Sequence, residues 1–368
     1  MTDRVIDADG HIEEDLAAIV AALPGSVRDL APRFERDADG HLVNLIEGKP
    51  WRPTYKQPRG SKTHVSAGGE VRLGGRDPVE RVRVLDAEGI DAAVLYPSLG
   101  LMFGLYEDPV VAAGLCAASN DWLATYCETD PARLVGVALL PQQDAELAAA
   151  ELDRCVSRHS FVGGVMRPNR VGGRTVDDPS YDVLWQAASA LDVPIVMHEA
   201  YLGGGIDTVG EDRISSYAGG HVISHAFEQM TAMLVLTLSG VLQRHPLLRL
   251  GFFEAGCGWA PYWTERIEEH YELAPTDFVG GDPTGVLPAR TWLTFEVEER
   301  SLPMVCDLGW ADNLCFASDY PHYDAVFPGA VKTVRERGLD PTLERKLLAD
   351  NALRFYGERL ERLLGAQR

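Results

Sequence analysis

The chain has 368 residues, 46% hydrophobic and 24% charged, with a formal net charge of -21 at pH 7. The composition is that of a globular protein, and the length suits a single barrel with insertions, which typically needs about 250 residues and can exceed 400. The acidic balance and the lack of a basic patch exclude nucleic acid and anionic membrane as partners, because neutralising phosphate requires clustered Lys and Arg.

The first residues, MTDRVIDAD, carry no signal-peptide pattern, and no apolar run approaches the roughly 18 residues of a membrane span. The six cysteines form no C-x-x-C pair and several sit among apolar neighbours, which reads as buried reduced thiols and a cytoplasmic protein. The first strand is expected over Arg4–Asp9, running into Gly10 and His11. Alternation along that strand puts Asp7, Asp9 and His11 on one face and Ile6 and Ala8 on the other. Two acids and an imidazole in a row are costly to bury without a counter-cation.

From Asp15 to Arg76 the pattern dissolves into Pro, Gly and charge, and includes His41 and His64. A stretch this long inside an otherwise periodic chain reads as a lid or substrate-shaping insertion (15–76) over the same end of the fold as His11.

Beyond it, helix and strand patterns alternate. Helices are expected over 77–88, 109–127, 144–157, 180–191, 221–243 and 259–271. Strands are expected over 91–96, 134–140, 162–166, 193–197, 248–253, 291–295 and 314–318. With the opening strand this makes eight, and no glycine-rich phosphate fingerprint follows the first. The fold class is therefore α/β, a (β/α)₈ barrel forming one domain over residues 1–368, with its long insertion after strand one.

The residues just past the strands carry the chemistry. They are Asp9 and His11 after strand one, Arg167 after strand four, His198 and Glu199 after strand five, Glu254 after strand six, and Asp319 and His322 after strand eight. In a barrel these positions converge on one mouth, although they span more than three hundred residues of sequence.

The segments VIDADGH, PIVMHEA, PLLRLGFFEAGCGWAPYWTERIEE, FASDYPHYDA and DNALRFYG, in that order and spacing, resemble the amidohydrolase superfamily. Within it the resemblance is to the branch containing aminocarboxymuconate-semialdehyde and γ-resorcylate decarboxylases. It implies a divalent metal at the barrel mouth held by Asp9, His11, His198 and Asp319, and a homodimer. Asp9 stands where His is commoner, and an oxygen-richer set shifts preference from zinc towards manganese or iron. The decarboxylases place a catalytic His after strand six, whereas this chain has Glu254. Glu254 suits a general base or, with Glu14, a second ion, so one or two divalent ions (Zn, Mn or Fe) are expected.

His225, with Glu228 one turn later to orient it, is a further acid/base candidate. His322 is a candidate for substrate contact or for a pair with Asp324, and Arg167 for a substrate carboxylate. The reading these residues favour is a metal-dependent hydrolase in which metal-bound water attacks an acyl carbon of a small organic substrate, with Glu254 or His225 moving the proton. The alternative is a metal-dependent non-oxidative decarboxylase of an aromatic or muconate-like acid. A barrel that binds without catalysis is a third reading, which the intact set of ligand-type residues disfavours.

Overall fold

The computed structural model describes residues 4–36, 42–51 and 72–365. In chain order the strands are β1 (Ile6–His11), β2 (Arg33–Arg36), β3 (Leu42–Ile46), β4 (Lys49–Trp51), β5 (Ala92–Tyr96) and β6 (Leu134–Gly136). They continue as β7 (Ala138–Leu139), β8 (Gly164–Met166), β9 (Ile195–His198), β10 (Leu250–Phe253), β11 (Thr291–Phe295) and β12 (Leu314–Phe316). All but β2, β3 and β4 run parallel. β6 and β7 act as one strand interrupted at Val137, whose N–H still donates to Leu95 O at 3.4 Å. The ring closes between β12 and β1, where Asp319 N–H donates to Asp9 O at 3.2 Å and His11 N–H to Tyr320 O at 2.7 Å. The result is the eight-stranded TIM barrel, with chain neighbours adjacent around the ring.

Alternation along each strand divides the core in two. Ala8, Val94, Tyr96, Val165, Val196 and Phe253 fill the inside, while Ile195, Met197, Phe252, Leu293 and Phe316 meet the helices outside. A short helix, Asn351–Tyr356, plugs the barrel floor. Its Tyr356 hydroxyl donates to Ala8 O at 2.7 Å, and Phe355 packs on Phe253 and Trp292. That contact accounts for Gly251, where a Cβ would come within 2.8 Å of the Phe355 ring.

The helices that matter for the site are α1 (Leu16–Ala22), α2 (Gly25–Arg28), α3 (Pro78–Glu88), α4 (Pro109–Cys127), α5 (Ala145–Arg158), α6 (Asp182–Leu191) and α7 (Tyr217–Leu238). Asp77, Asp108, Asp144 and Ser216 accept from first-turn N–H groups and so fix where α3, α4, α5 and α7 begin. The long helical segment expected over 221–243 is broken into α7 and a short turn, Val241–Arg244, because Gly240 adopts φ 71.

Two further expectations are corrected. β1 begins and ends two residues later than expected, and its pairing register with β5 shifts between Asp7 and Gly10. This bulge resets the alternation. The Asp7 carboxylate accordingly turns to Ser318, accepting from N at 2.9 Å and Oγ at 2.5 Å, and lies near Arg81. Asp9 and His11 turn elsewhere.

The insertion is also less irregular than its composition suggests. It contains α1, α2 and an antiparallel sheet β2-β3-β4. Trp51 Nε1 donates to Gly204 O at 3.3 Å, Glu47 accepts from Glu107 N and Asp108 N, and Arg72 donates to His322 O. These contacts lie on loops following β5, β9 and β12, at the carboxyl end of the barrel. His41 and His64 lie outside the described residues. All six cysteines are buried and none forms a disulfide.

Candidate metal centre and active site

Asp9, His11, His198, Glu254 and Asp319 meet at the carboxyl ends of the strands. His198 Nε2 stands 3.3 Å from Asp9 Oδ1 and 3.0 Å from Glu254 Oε2. His11 Nε2 is 3.6 Å from Asp9 Oδ1, 3.7 Å from Glu254 Oε2 and 3.6 Å from Asp319 Oδ1. The donor atoms form two groups, Asp9–His11–His198 and His11–Glu254–Asp319–His322, and each group lies within 4.8 Å. His11 belongs to both.

These residues fit a divalent cation. His11 Nδ1 lies 3.2 Å from Pro97 O and His198 Nδ1 lies 3.0 Å from Glu199 O. A ring N–H must occupy that hydrogen bond, so each Nε2 faces inward as a lone pair, the state in which imidazole binds metals. Both Nε2 atoms and Asp9 Oδ1 are buried without a hydrogen-bond partner. Leaving several buried acceptors facing one another is costly unless a cation satisfies them together.

The electrostatics agree. Burial, then the charges of Asp319 and Asp7, pushes the Asp9 carboxyl well above its usual range. Burial, then Asp319, pushes Glu254 up to about 8. Burial, reinforced by nearby cationic groups, lowers His11 well below its ordinary value.

Two of these ligand-type residues leave their strands in a conformation side chains rarely adopt. Glu254 has φ 57 and Asp319 φ 52. Each turn is held in place: at Asp319, its own N–H donates to Asp9 O at 3.2 Å and Tyr320 N to Ser318 Oγ at 3.1 Å. Thr294 Oγ1 accepts from Glu254 N at 2.9 Å, and Gln229 Nε2 donates to both Met197 O and Phe253 O at 2.8 Å. Backbone strain of this kind persists only where its surroundings over-determine it.

His322 completes one side. Its Nδ1 lies 2.6 Å from Asp319 Oδ1, its Nε2 lies 3.0 Å from Ser98 Oγ, and its ring lies 4.1 Å from that of His11. Burial opposes its charge, but Asp319 and Glu254 outweigh burial and raise it to about 10. The partner of His322 is thus Asp319, where the sequence suggested Asp324.

His225, on α7, brings Nε2 to 3.5 Å from Glu254 Oε1. Glu228 does not orient it, since Glu228 Oε1 accepts from Val209 N at 2.5 Å. His225 Nδ1 instead faces Ser224 Oγ at 3.0 Å and His221 O at 3.4 Å.

Glu14 is not brought into the cluster. Its carboxylate accepts from Ser98 N, Leu99 N and Gly100 N at 3.2, 2.9 and 2.8 Å, capping the turn that follows β5. Arg167 is buried and spends four of its five N–H donors on Asn169 Oδ1, Leu101 O, Glu199 Oε2 and Ala200 O. That arrangement fastens loops together and leaves little of the guanidinium for a substrate.

Gln229, Thr294, Ser98 and Tyr96, whose ring stacks on His198 at 5.4 Å, were not apparent from sequence. Only Gln229 had a signal, lying one turn after His225 on the same face of α7. Beside the cluster is a cavity of about 130 Å³ lined by Asp9, Glu254, Thr294, Ser318, Asp319 and Asp324.

Barrel and ligand cluster together define a mouth-centred, metal-binding α/β enzyme. A family model described as Amidohydrolase matches residues 6–357, and the chain belongs to the amidohydrolase family. It is 27% identical over 286 residues to 2-amino-3-carboxymuconate-6-semialdehyde decarboxylase of Dictyostelium discoideum, covering 76% of this chain and 77% of that one. It is 32% identical over 265 residues to gamma-resorcylate decarboxylase of Polaromonas sp., covering 66% and 76%. Among solved structures, a dihydroxybenzoic acid decarboxylase from Polaromonas sp. with bound manganese and 2-nitroresorcinol superposes with a TM-score of 0.68. That pair shares 21% identity over 97% of this chain and 99% of the other.

These relatives overturn the expectation of a hydrolase, because the named enzymes are decarboxylases. The same ligands can serve either reaction, so the ligand set alone could not separate them. The feature that favoured hydrolysis, Glu254 in place of a His, also loses weight once α7 delivers the imidazole of His225 to Glu254. Among the described residues, no helix is long and apolar enough to cross a membrane.

Proposed function

We propose that the protein is a metal-dependent non-oxidative decarboxylase acting on a one-ring aromatic or muconate-like carboxylic acid. The observation that carries this reading is the convergence of His11, His198, Asp9 and Asp319 on one buried point, in a chain whose named relatives are decarboxylases. Asp9, His11, His198 and Asp319 would hold a divalent ion, whose charge would anchor the substrate carboxylate or a neighbouring hydroxyl. Manganese is the favoured ion, since the donor set is rich in carboxylate oxygen and the Polaromonas structure holds that metal.

The chain's own residues would manage the proton. When the bond to the carboxyl carbon breaks, its electron pair stays on the remaining carbon, carbon dioxide leaves, and that carbon takes up a proton. Glu254 Oε1 and His225 Nε2, 3.5 Å apart, share the proton that is delivered. Solvent then restores it. His322 fixes Asp319 and reaches Ser98, and so sets one wall of the site. The adjoining cavity is close to the roughly 150 Å³ that accepts benzene in an engineered core, which suits a single ring. We expect the working form to be the homodimer that the resemblance implies.

Carbon dioxide release from a panel of hydroxylated benzoic and muconate-like acids tests the proposal. Release by the manganese-loaded protein, lost in Asp319→Asn, supports it. No release from either class by fully loaded protein overturns it.

A further inference from the structure

We propose that Glu254 is itself a ligand of the metal through Oε2, with only Oε1 left to handle protons. This inference rests on the metal-dependent reading above and concerns what this chain places after strand six.

Geometry is the first support. Glu254 Oε2 lies 3.0 Å from His198 Nε2 and 3.7 Å from His11 Nε2. Ligands about 2.1 Å from a common ion and at right angles to each other stand about 3 Å apart. Glu254 Oε2 is therefore as close to the imidazole donors as Asp9 Oδ1, which lies 3.3 and 3.6 Å from them.

The hydrogen-bond pattern is the second support. With His198 Nδ1 committed to Glu199 O, its Nε2 presents a lone pair and makes no hydrogen bond. Glu254 Oε2 is likewise an acceptor. Two acceptors facing each other at 3.0 Å must share something positive between them, either a proton on Glu254 or a metal ion. The matching state of His11 Nε2, which lacks a partner on the opposite side, favours the ion, because one proton cannot serve both imidazoles.

The backbone is the third support. Glu254 adopts φ 57, and Thr294 and Gln229 hold the turn. Glycine would take this conformation without strain, so a carboxylate kept there has work for its side chain.

The two carboxylate oxygens then divide their roles. Oε2 joins Asp9, His11, His198 and Asp319, while Oε1 faces His225 at 3.5 Å and His322 at 3.9 Å. Proton delivery passes to His225, held next to a carboxylate that the metal keeps ionised. Three carboxylates and two imidazoles make a harder donor set than the four-ligand site, which raises the preference for manganese or iron over zinc.

Manganese affinity, measured by competition with a chromogenic chelator, and the metal's coordination number, from X-ray absorption, test the assignment. Glu254→Gln and Glu254→Ala should each weaken manganese binding by about 10- to 100-fold or more and remove one light-atom ligand. His225→Asn should leave affinity within about threefold and the coordination number unchanged. Thermal melts of the metal-free variants confirm that each is folded. If Glu254→Ala binds manganese with wild-type affinity and an unchanged ligand count, yet releases no carbon dioxide, Glu254 is only an acid or base and the inference fails while the decarboxylase reading stands. If the wild-type protein binds no manganese, both fall.

Discussion

Glu254 and Asp319 lie two strands apart, leave β10 and β12 through the same left-handed backbone (φ 57 and 52), and approach the same His11 Nε2 at 3.7 and 3.6 Å. Each combines a strained backbone with an acid placed beside other buried acids. In the metal-free protein neither feature is stabilising. Asp319→Asn removes one charge from the cluster and keeps the backbone and shape. Relief of Asp9 and Glu254 is opposed by loss of the contact with His322 at 2.6 Å, so its metal-free stability should stay within about 1 kcal/mol of wild type in denaturant titration, while activity and metal affinity collapse. A clear loss of metal-free stability would show that Asp319 serves the fold rather than the ion.

Gln229 offers a test of a residue that touches no reacting atom. Its amide donates to the carbonyls of Met197 and Phe253, the residues immediately before His198 and Glu254. Gln229→Leu leaves both buried carbonyls without that donor, at a cost of about 2–4 kcal/mol for the two. Denaturant titration should show this loss. Manganese affinity should fall as well, because both strand ends are freed.

Gly10 sits at the bulge of β1, where a Cβ would come within 2.4 Å of Arg81 Nη2 and 2.7 Å of Asp7 Oδ2. Arg81 cannot easily yield, since it is fully buried and its Nη1 donates to His11 O and Tyr320 O at 2.8 and 3.1 Å. Gly10→Ala should therefore cost about 1–3 kcal/mol in unfolding free energy.

The pH dependence of metal-free stability follows from the same cluster. Burial pushes Glu254 up to about 8, and His322 is raised to about 10 by Asp319 against the effect of burial. Both groups hold protons in the folded protein that the unfolded chain has already released above about pH 6.5. Folded protein that binds more protons than unfolded loses stability as pH rises. The buried His11, His198 and His225, whose values are lowered chiefly by burial, act in the opposite sense, but only below about pH 6.5. Metal-free stability should thus decline from about pH 6.5 to 8 and beyond. Saturating manganese, which would replace the Glu254 proton and draw on the Asp319 and Glu254 charges that hold the proton on His322, should flatten the decline. A metal-free curve that rises across this interval would contradict the assignment.

The sequence announced some parts of this molecule and concealed others. β11 lies where the run TWLTF places it, and α4 is bounded by the Asp108–Pro109 start that its residues predict. His11, His198, Glu254 and Asp319 were legible because a barrel sends every strand end to one mouth, whatever the distance along the chain. The bulge in β1 was not legible, because it depends on Arg81 and Ser318 approaching from far away in sequence. The β2-β3-β4 sheet was hidden for a similar reason, since short antiparallel strands take their register from one another. Glu14 shows the limit most clearly. A carboxylate three residues beyond His11 suits a metal ligand or a cap, and only the three backbone N–H groups of Ser98–Gly100 decide the matter.

Anomalous diffraction at the manganese edge, from crystals grown with that ion, is the most direct test of the central claim that distant strand ends share one cation. A peak is expected about 2.0–2.3 Å from His11 Nε2, His198 Nε2 and Asp319 Oδ1. A loaded crystal with its manganese elsewhere, and none among these three side chains, would contradict it.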